Sequence, residues 1–245
     1  MLALPEKNIV FTGNAWNVRS ALDLEASGFD LIGTSSAAIA DSLGFGDGEK
    51  IPFDLLLTVI RQIRERIALP LSVDLERGYA DTLEGLVRNT SRLIEIGCGA
   101  LNLEDVDPRN ARTLLPPDVF AAKIVALKKA FGNRIFINAR IDTYLLGIDH
   151  SVAATRERMA VYTEAGADGM FIPGLTDGGE IAELVQAAAL PVNVMALPGL
   201  PPVSELEKLG VKRISFGNFG YEKGYGAHRK LMETIRRTGQ LAQLF

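Results

Sequence analysis

Residues 71–81 read LSVDLERGYAD, residues 99–107 read GALNLEDVD and residues 134–142 read RIFINARID. Each stretch is a short β-rich run that ends in charged side chains and leads toward an amphipathic segment. The same unit recurs from one end of the chain to the other. Candidate strands cover Asn8–Thr12, Leu31–Ser35, Leu71–Leu75, Ala100–Leu103, Arg134–Ala139, Gly169–Ile172, Val192–Met195 and Arg213–Phe216. Between and after them lie helical patterns over Val18–Ser27, Phe53–Ile67, Thr82–Ile96, Pro117–Phe131, Ser151–Ala165, Gly179–Ala188, Val203–Leu209 and Tyr221–Thr238. Such alternation predicts a parallel sheet of the α/β class. The count favours closure into a (β/α)8 TIM barrel over an open doubly wound sheet. Gly28, Gly99, Gly166 and Gly210 each stand between a helix and the next strand, where glycine ends a helix with least strain. No linker, low-complexity tract or charge block divides residues 1–245, so the chain reads as one catalytic domain of ordinary barrel length.

Composition narrows the function classes. The 245 residues are 47% hydrophobic and 23% charged, which is ordinary for a soluble globular protein. Lys and Arg number 26 against 30 Asp and Glu, a net charge of −4, and no basic block interrupts the sequence. Nucleic acid is therefore not an expected partner. A single cysteine, Cys98, cannot form an internal disulfide, which suits a reducing cytoplasm. The opening MLALPEKNIVF has no long apolar core or small-residue cleavage site, and no run is long enough to span a membrane. A cytoplasmic location is expected.

In a (β/α)8 barrel the chemistry lies at the C-terminal ends of the strands, in the loops that lead to the helices. Asp74 and Glu76 end the third candidate strand, and Glu104 and Asp105 the fourth. Residues two apart on a strand share a face, so Asp74 and Glu76 can point together, with Glu104 on the neighbouring strand. Crowded carboxylates repel unless a cation neutralises them, and an oxygen-only set suits Mg²⁺ or Mn²⁺ held partly through water. The alternative is that these acids cap helices or pair with Arg77 and Arg109. Arg140 ends the fifth candidate strand. Its fork can grip a carboxylate or phosphate, or pair with Asp142 or Glu104. Ser35 and Ser36 follow Thr34 at the second strand end, as donors for an anionic oxygen or as an ordinary loop start. Asp47 lies in GFGDGEK, residues 44–50, which alone reads as a flexible turn.

Taken in order, GNAWNVRSALDLEASGFDLIGTSS (13–36), GFGDGEKIPFD (44–54), LSVDLERGYAD (71–81), GALNLEDVD (99–107), INARID (137–142), GADGMFIPGL (166–175) and ELEKLGVKRISFG (205–217) resemble the isocitrate lyase/phosphoenolpyruvate mutase superfamily, most of all its short bacterial phosphonomutase-like members. The resemblance covers nearly the whole chain. It implies a TIM barrel that uses Mg²⁺ and breaks or forms C–C or P–C bonds beside a 2-oxo acid or its enolate. Carried over position by position, it implies that Asp74, Glu76 and Glu104 hold the metal shell and that Ser35 and Ser36 bind the substrate carboxylate. Asp47 would lie beside the metal, Arg140 would contact the substrate, and Asn193 in PVNVMALPG would bind substrate as in the lyase branch.

Two departures bear on the reaction. The lyase branch carries a catalytic cysteine in a K-[KR]-C-G-H loop, whereas residues 104–118 read EDVDPRNARTLLPPD, with no cysteine, lysine or histidine. FIPGL (171–175) also replaces the histidine of the mutase branch and the glutamate of the lyase branch. Cys98 falls at the opposite end of the barrel from the chemistry and reads as a small buried hydrophobe. The leading expectation is a Mg²⁺-dependent 2-oxo-acid lyase acting by C–C cleavage, decarboxylation or hydrolysis. The alternatives are a phosphonomutase such as carboxyvinyl-carboxyphosphonate phosphorylmutase, a non-catalytic dicarboxylate binder, and a phosphate-binding isomerase using Gly217–Gly226. The expected partners are a small 2-oxo-acid or enolpyruvyl substrate and further copies of the chain, in a homodimer or homotetramer.

Overall fold

The structure, a computed structural model, describes residues 7–245; the reading of MLALPEKNIVF over residues 1–6 lies outside the described residues. The strands are β1 (Val10–Ala15), β2 (Leu31–Thr34), β3 (Leu71–Asp74), β4 (Ala100–Glu104), β5 (Val106–Asp107), β6 (Asn110–Leu114), β7 (Phe136–Arg140), β8 (Gly169–Ile172), β9 (Val192–Met195) and β10 (Arg213–Ser215). The helices are α1 (Val18–Ala26), α2 (Ser36–Ser42), α3 (Phe53–Arg64), α4 (Leu83–Glu95), α5 (Pro117–Phe131), α6 (Ser151–Glu164), α7 (Gly178–Ala187), α8 (Val203–Lys208) and α9 (Phe219–Thr238). All strands but β5 and β6 form a closed parallel barrel in the order β1–β2–β3–β4–β7–β8–β9–β10, with β10 pairing back onto β1 at Val10↔Arg213. Closure removes the exposed edges that an open sheet would leave unpaired. The predicted barrel is therefore the observed fold.

Alternation along the strands separates two environments. Val73, Leu101, Leu103, Ile137, Ala139, Val192 and Val194 belong to the apolar core shared with the surrounding helices. Their neighbours Ser72, Asn102, Glu104, Asn138 and Asn193 are buried and polar, and they project into the barrel. Local signals start the helices where the sequence suggested. Asn17 and Ser20 form a capping box at α1, Thr82 caps α4 through Gly85 N, and Asp177 caps α7 through Glu180 N.

Five details differ from the sequence reading. Strand β1 continues to Ala15, because its register with β2 runs on through Asn14↔Gly33 and Ala15↔Thr34. The loop 34–50 contains α2, and the loop 104–115 folds into the β5–β6 hairpin. The glycine after α4 is Gly97, at φ +89°, in place of Gly99, because the chain turns directly after Ile96. Glu76 lies beyond the end of β3 at φ +48°, so a turn sets its direction. No helix among the described residues is long and apolar enough to cross a membrane.

Candidate active site

A cavity of about 440 Å³ opens at the C-terminal mouth of the barrel. It is lined by Ser35, Ser36, Asp47, Asp74, Glu76, Glu104 and Arg140 together with Arg77, Asp142, Val106, Leu145, Leu146, Met195 and Asn218. Seven of the site residues expected from the sequence therefore meet in one place, brought there from separate loops and strand ends. Asn193 does not line it. That residue lies two positions before Met195 on β9, deeper in the barrel and 1% exposed.

Asp74 is held on one side only. Ser36 Oγ donates to its Oδ2 at 2.8 Å, while its Oδ1 is buried with no hydrogen-bond partner among the described residues. Burial raises the Asp74 pKa, and the Arg140 charge and the Ser36 hydrogen bonds offset part of that rise. Burial, followed by the Asp74 charge, pushes Glu76 up to about 8, although Tyr79 Oη donates to its Oε1 at 2.7 Å. Burial lifts Glu104 to about 7 against the pull of Arg140, whose Nη1 lies 3.1 Å from Glu104 Oε2. Raised carboxyl groups crowded in one cavity are what a missing positive charge produces. No group of three His, Cys, Asp or Glu side chains among the described residues converges closely enough to ligate one ion directly. The donor set instead fits a hydrated hard cation, held directly by few carboxylates and otherwise through water.

Arg140 makes the pairings the sequence offered and also borders the cavity. Its Nε and Nη2 donate to the two Asp142 oxygens at 2.7 and 2.8 Å, and Nη1 pairs with Glu104, yet it still borders the cavity. Burial works against its charge, but Asp142, Glu104 and Asp74 outweigh that and hold the guanidinium protonated. Ser35 caps α2, its Oγ accepting from Ala38 N at 3.3 Å, so its own proton is left to donate toward the cavity.

The Asp47 loop is pinned, which the flexible-turn reading did not anticipate. Glu49 accepts from Arg77 N at 3.0 Å and Tyr79 N at 2.6 Å, and Arg77 Nη2 donates to Gly48 O at 2.9 Å. The facing turn carries Glu76, Gly78 and Tyr79 at positive φ, and a Cβ on Gly78 would approach Leu86 Cδ1 to 2.5 Å. Non-glycine residues in that region mark a locally strained turn held by its surroundings. Glu49 and Tyr79 escaped the sequence reading because neither stands at a strand end; the dense RGYAD run was the available signal. A second scaffold lies under the hairpin. Asp105 accepts from Asp142 N at 3.1 Å, Arg158 Nη1 at 2.9 Å and Tyr162 Oη at 2.8 Å, and Arg158 Nη2 donates to Leu115 O at 2.9 Å. Arg109 pairs with Asp107 and projects into solvent away from the cavity. Cys98 is buried in the turn before β4, where burial pushes its thiol up to about 12. His150 caps the start of α6 and His228 lies within α9; neither lines the cavity.

The chain is similar to several known proteins. An uncharacterised protein of Mycobacterium tuberculosis is 37% identical over 211 residues, 86% of this chain and 78% of that one. Oxaloacetate decarboxylase 2 of Pseudomonas fluorescens is 27% identical over 227 residues, covering 90% of this chain and 75% of its own. A solved structure from Burkholderia cenocepacia J2315, described as a phosphonomutase, superposes with a TM-score of 0.87 at 35% identity, covering 92% of this chain and 94% of the other. The pattern of the phosphoenolpyruvate phosphomutase family matches residues 1–236, and the chain belongs to that family, within the isocitrate lyase/phosphoenolpyruvate mutase superfamily.

Proposed function

We propose that the protein is a Mg²⁺-dependent lyase that breaks the bond between the carbon next to the oxo carbon of a small 2-oxo acid and its substituent, leaving an enolate, by C–C cleavage, decarboxylation or hydrolysis. The observation that carries this reading is Asp74. Its Oδ1 is buried with no partner among the described residues, and Asp74 lines the same cavity as Glu76, Glu104 and Arg140. Asp74 would hold the cation, with Glu76 and Glu104 reaching it through water and Asp47 adding negative charge nearby. The chemistry supplied by bound Mg²⁺ is polarisation of the substrate's oxo oxygen and neutralisation of the charge that develops there.

The remaining work falls to the chain's own side chains. Of the five guanidinium N–H groups of Arg140, three are engaged by Asp142 and Glu104, leaving two for a substrate carboxylate. Asp142 fixes the fork before substrate arrives, so little ordering is needed on binding. The Ser35 hydroxyl supplies a further donor to that carboxylate. Val106, Leu145, Leu146 and Met195 give the cavity an apolar flank that excludes water and solvates a departing carboxylate poorly, which favours its loss as a neutral fragment. The family's activity on oxo acids and the likeness to an oxaloacetate decarboxylase support the substrate class. A phosphonomutase is the second reading, favoured by Arg77 as another guanidinium on the cavity wall.

A screen of oxaloacetate, 2-methylisocitrate and phosphonopyruvate with Mg²⁺ decides between them. We expect pyruvate release from at least one, abolished by EDTA and restored by Mg²⁺. Turnover indifferent to EDTA, or binding without turnover, would sink the lyase reading; rearrangement of phosphonopyruvate without pyruvate release would select the mutase. Exposed Phe219, Tyr225 and Met232 along α9 support association into a homodimer or homotetramer. Sedimentation velocity should give a species larger than the 26.5 kDa monomer, and a monomer at all concentrations would count against it.

A further inference from the structure

Below the cavity, the barrel buries a positive charge with no carboxylate against it among the described residues. Arg213 of β10 is 3% exposed and its side chain crosses the interior. Its Nε donates to Thr12 Oγ1 of β1 at 2.8 Å, and its Nη2 reaches Ser72 Oγ of β3 at 3.4 Å. Both acceptors are neutral. Nη1 is buried and has no partner among the described residues. Burial alone draws the guanidinium down to about 10, with no neighbouring acid offsetting it. Beside it in register on β9 is Asn193, 1% exposed, with Oδ1 and Nδ2 both unpartnered among the described residues. In-register residues of adjacent parallel strands project to the same face, so the amide and the guanidinium open on one inner layer. The alternate residues Val192, Val194 and Ile214 belong to the apolar core on the helix side.

Taking a guanidinium out of water without a counter-charge is strongly unfavourable, whereas burying an apolar side chain of similar volume is favourable. Thr12 and Ser72 satisfy two of its nitrogens but leave the charge uncompensated. Water could occupy the remaining N–H groups, and it too would leave the charge. We propose that this layer is an anion site, in which Arg213 Nη1 and the Asn193 amide N–H groups bind a small monovalent ion of the halide class. Such an ion would complete the barrel floor and stabilise the fold, separately from the substrate cavity above.

The test uses the full chain. Thermal melts in chloride, in bromide and in methanesulfonate at matched ionic strength read the ion's contribution, and crystals grown in bromide locate it by anomalous scattering. We expect a saturable rise in Tm, on the order of a few degrees, with either halide over methanesulfonate. The rise should vanish in Arg213→Met, and a bromide peak should lie inside the barrel between Arg213 and Asn193. A Tm that ignores the identity of the anion, or bromide found on the surface only, overturns the proposal. If Arg213→Met does not fold, the bromide map of the unaltered protein still decides.

Discussion

Arg140 is fixed by Asp142 and Glu104 and still faces the cavity, so its charge and its geometry can be tested apart. Arg140→Ala should lower kcat/KM by about 2–4 kcal/mol, the range for loss of a preorganised donor at a developing charge. Arg140→Lys keeps the charge but cannot present parallel N–H groups, so it should recover little of that loss. Steady-state kinetics separate two roles: a rise in KM alone means ground-state binding, whereas a fall in kcat means stabilisation of the transition state, which we expect. Unchanged kcat/KM in both variants would remove Arg140 from the site. The charged ends of SVDLE, LNLED and INARID gave this residue and its carboxylate neighbours away. Their mutual geometry was not legible, because Arg140 reaches both Asp142, two residues on, and Glu104, across a strand pair.

Strand ends locate the candidate catalytic groups, and the connecting loops hold them. Asp105 ties the turn after β7 to α6 and to the base of the β5–β6 hairpin through Asp142 N, Arg158 and Tyr162. It is fully buried, and Arg158 beside it is 9% exposed, so removing the carboxylate leaves a buried cation without its partner. Asp105→Asn should therefore destabilise the protein by about 3–5 kcal/mol. Tyr162→Phe, which deletes one hydroxyl from the network, should cost about 1 kcal/mol. Urea unfolding measures both, and equal stability of Asp105→Asn and the unaltered protein would mean that the ion pair contributes nothing. None of this network was apparent in the sequence. The partners of Asp105 lie 37 to 57 residues further along the chain, and only the packing of α6 against the barrel brings them together. The pinning of the Asp47 loop by Glu49 escaped for the same reason, since a glycine-rich run looks mobile until its anchoring partner is known.

Charge and protonation across the mouth link the site to the stability of the whole barrel. Glu76 at about 8 and Glu104 at about 7 are raised from 4.5, so the metal-free native state retains protons that the unfolded chain releases. Asp74 shifts in the same direction. A raised carboxyl contributes stability that is present below its unfolded pKa and is lost as pH climbs through the folded value. In EDTA, Tm should therefore fall from about pH 5 to about pH 8 through these groups, and Mg²⁺ should restore it most at the alkaline end. A melting profile in EDTA that rises over that window would contradict the protonation states assigned to the mouth.

The sequence by itself determined the barrel, the single chain of β/α units and the strand ends that border the cavity. Strand and helix periods are local, and the apolar–polar alternation of SVD, NLE and NAR is written within a few residues. Only the tertiary structure decided which predicted residues share a cavity, and it left Asn193 in the layer beneath with Arg213. It also decided that Glu76 points by virtue of a left-handed turn and that Arg213 is buried without an acid among the described residues. Those properties depend on register, barrel closure and desolvation, which arise between strands distant in the chain and which no local pattern encodes.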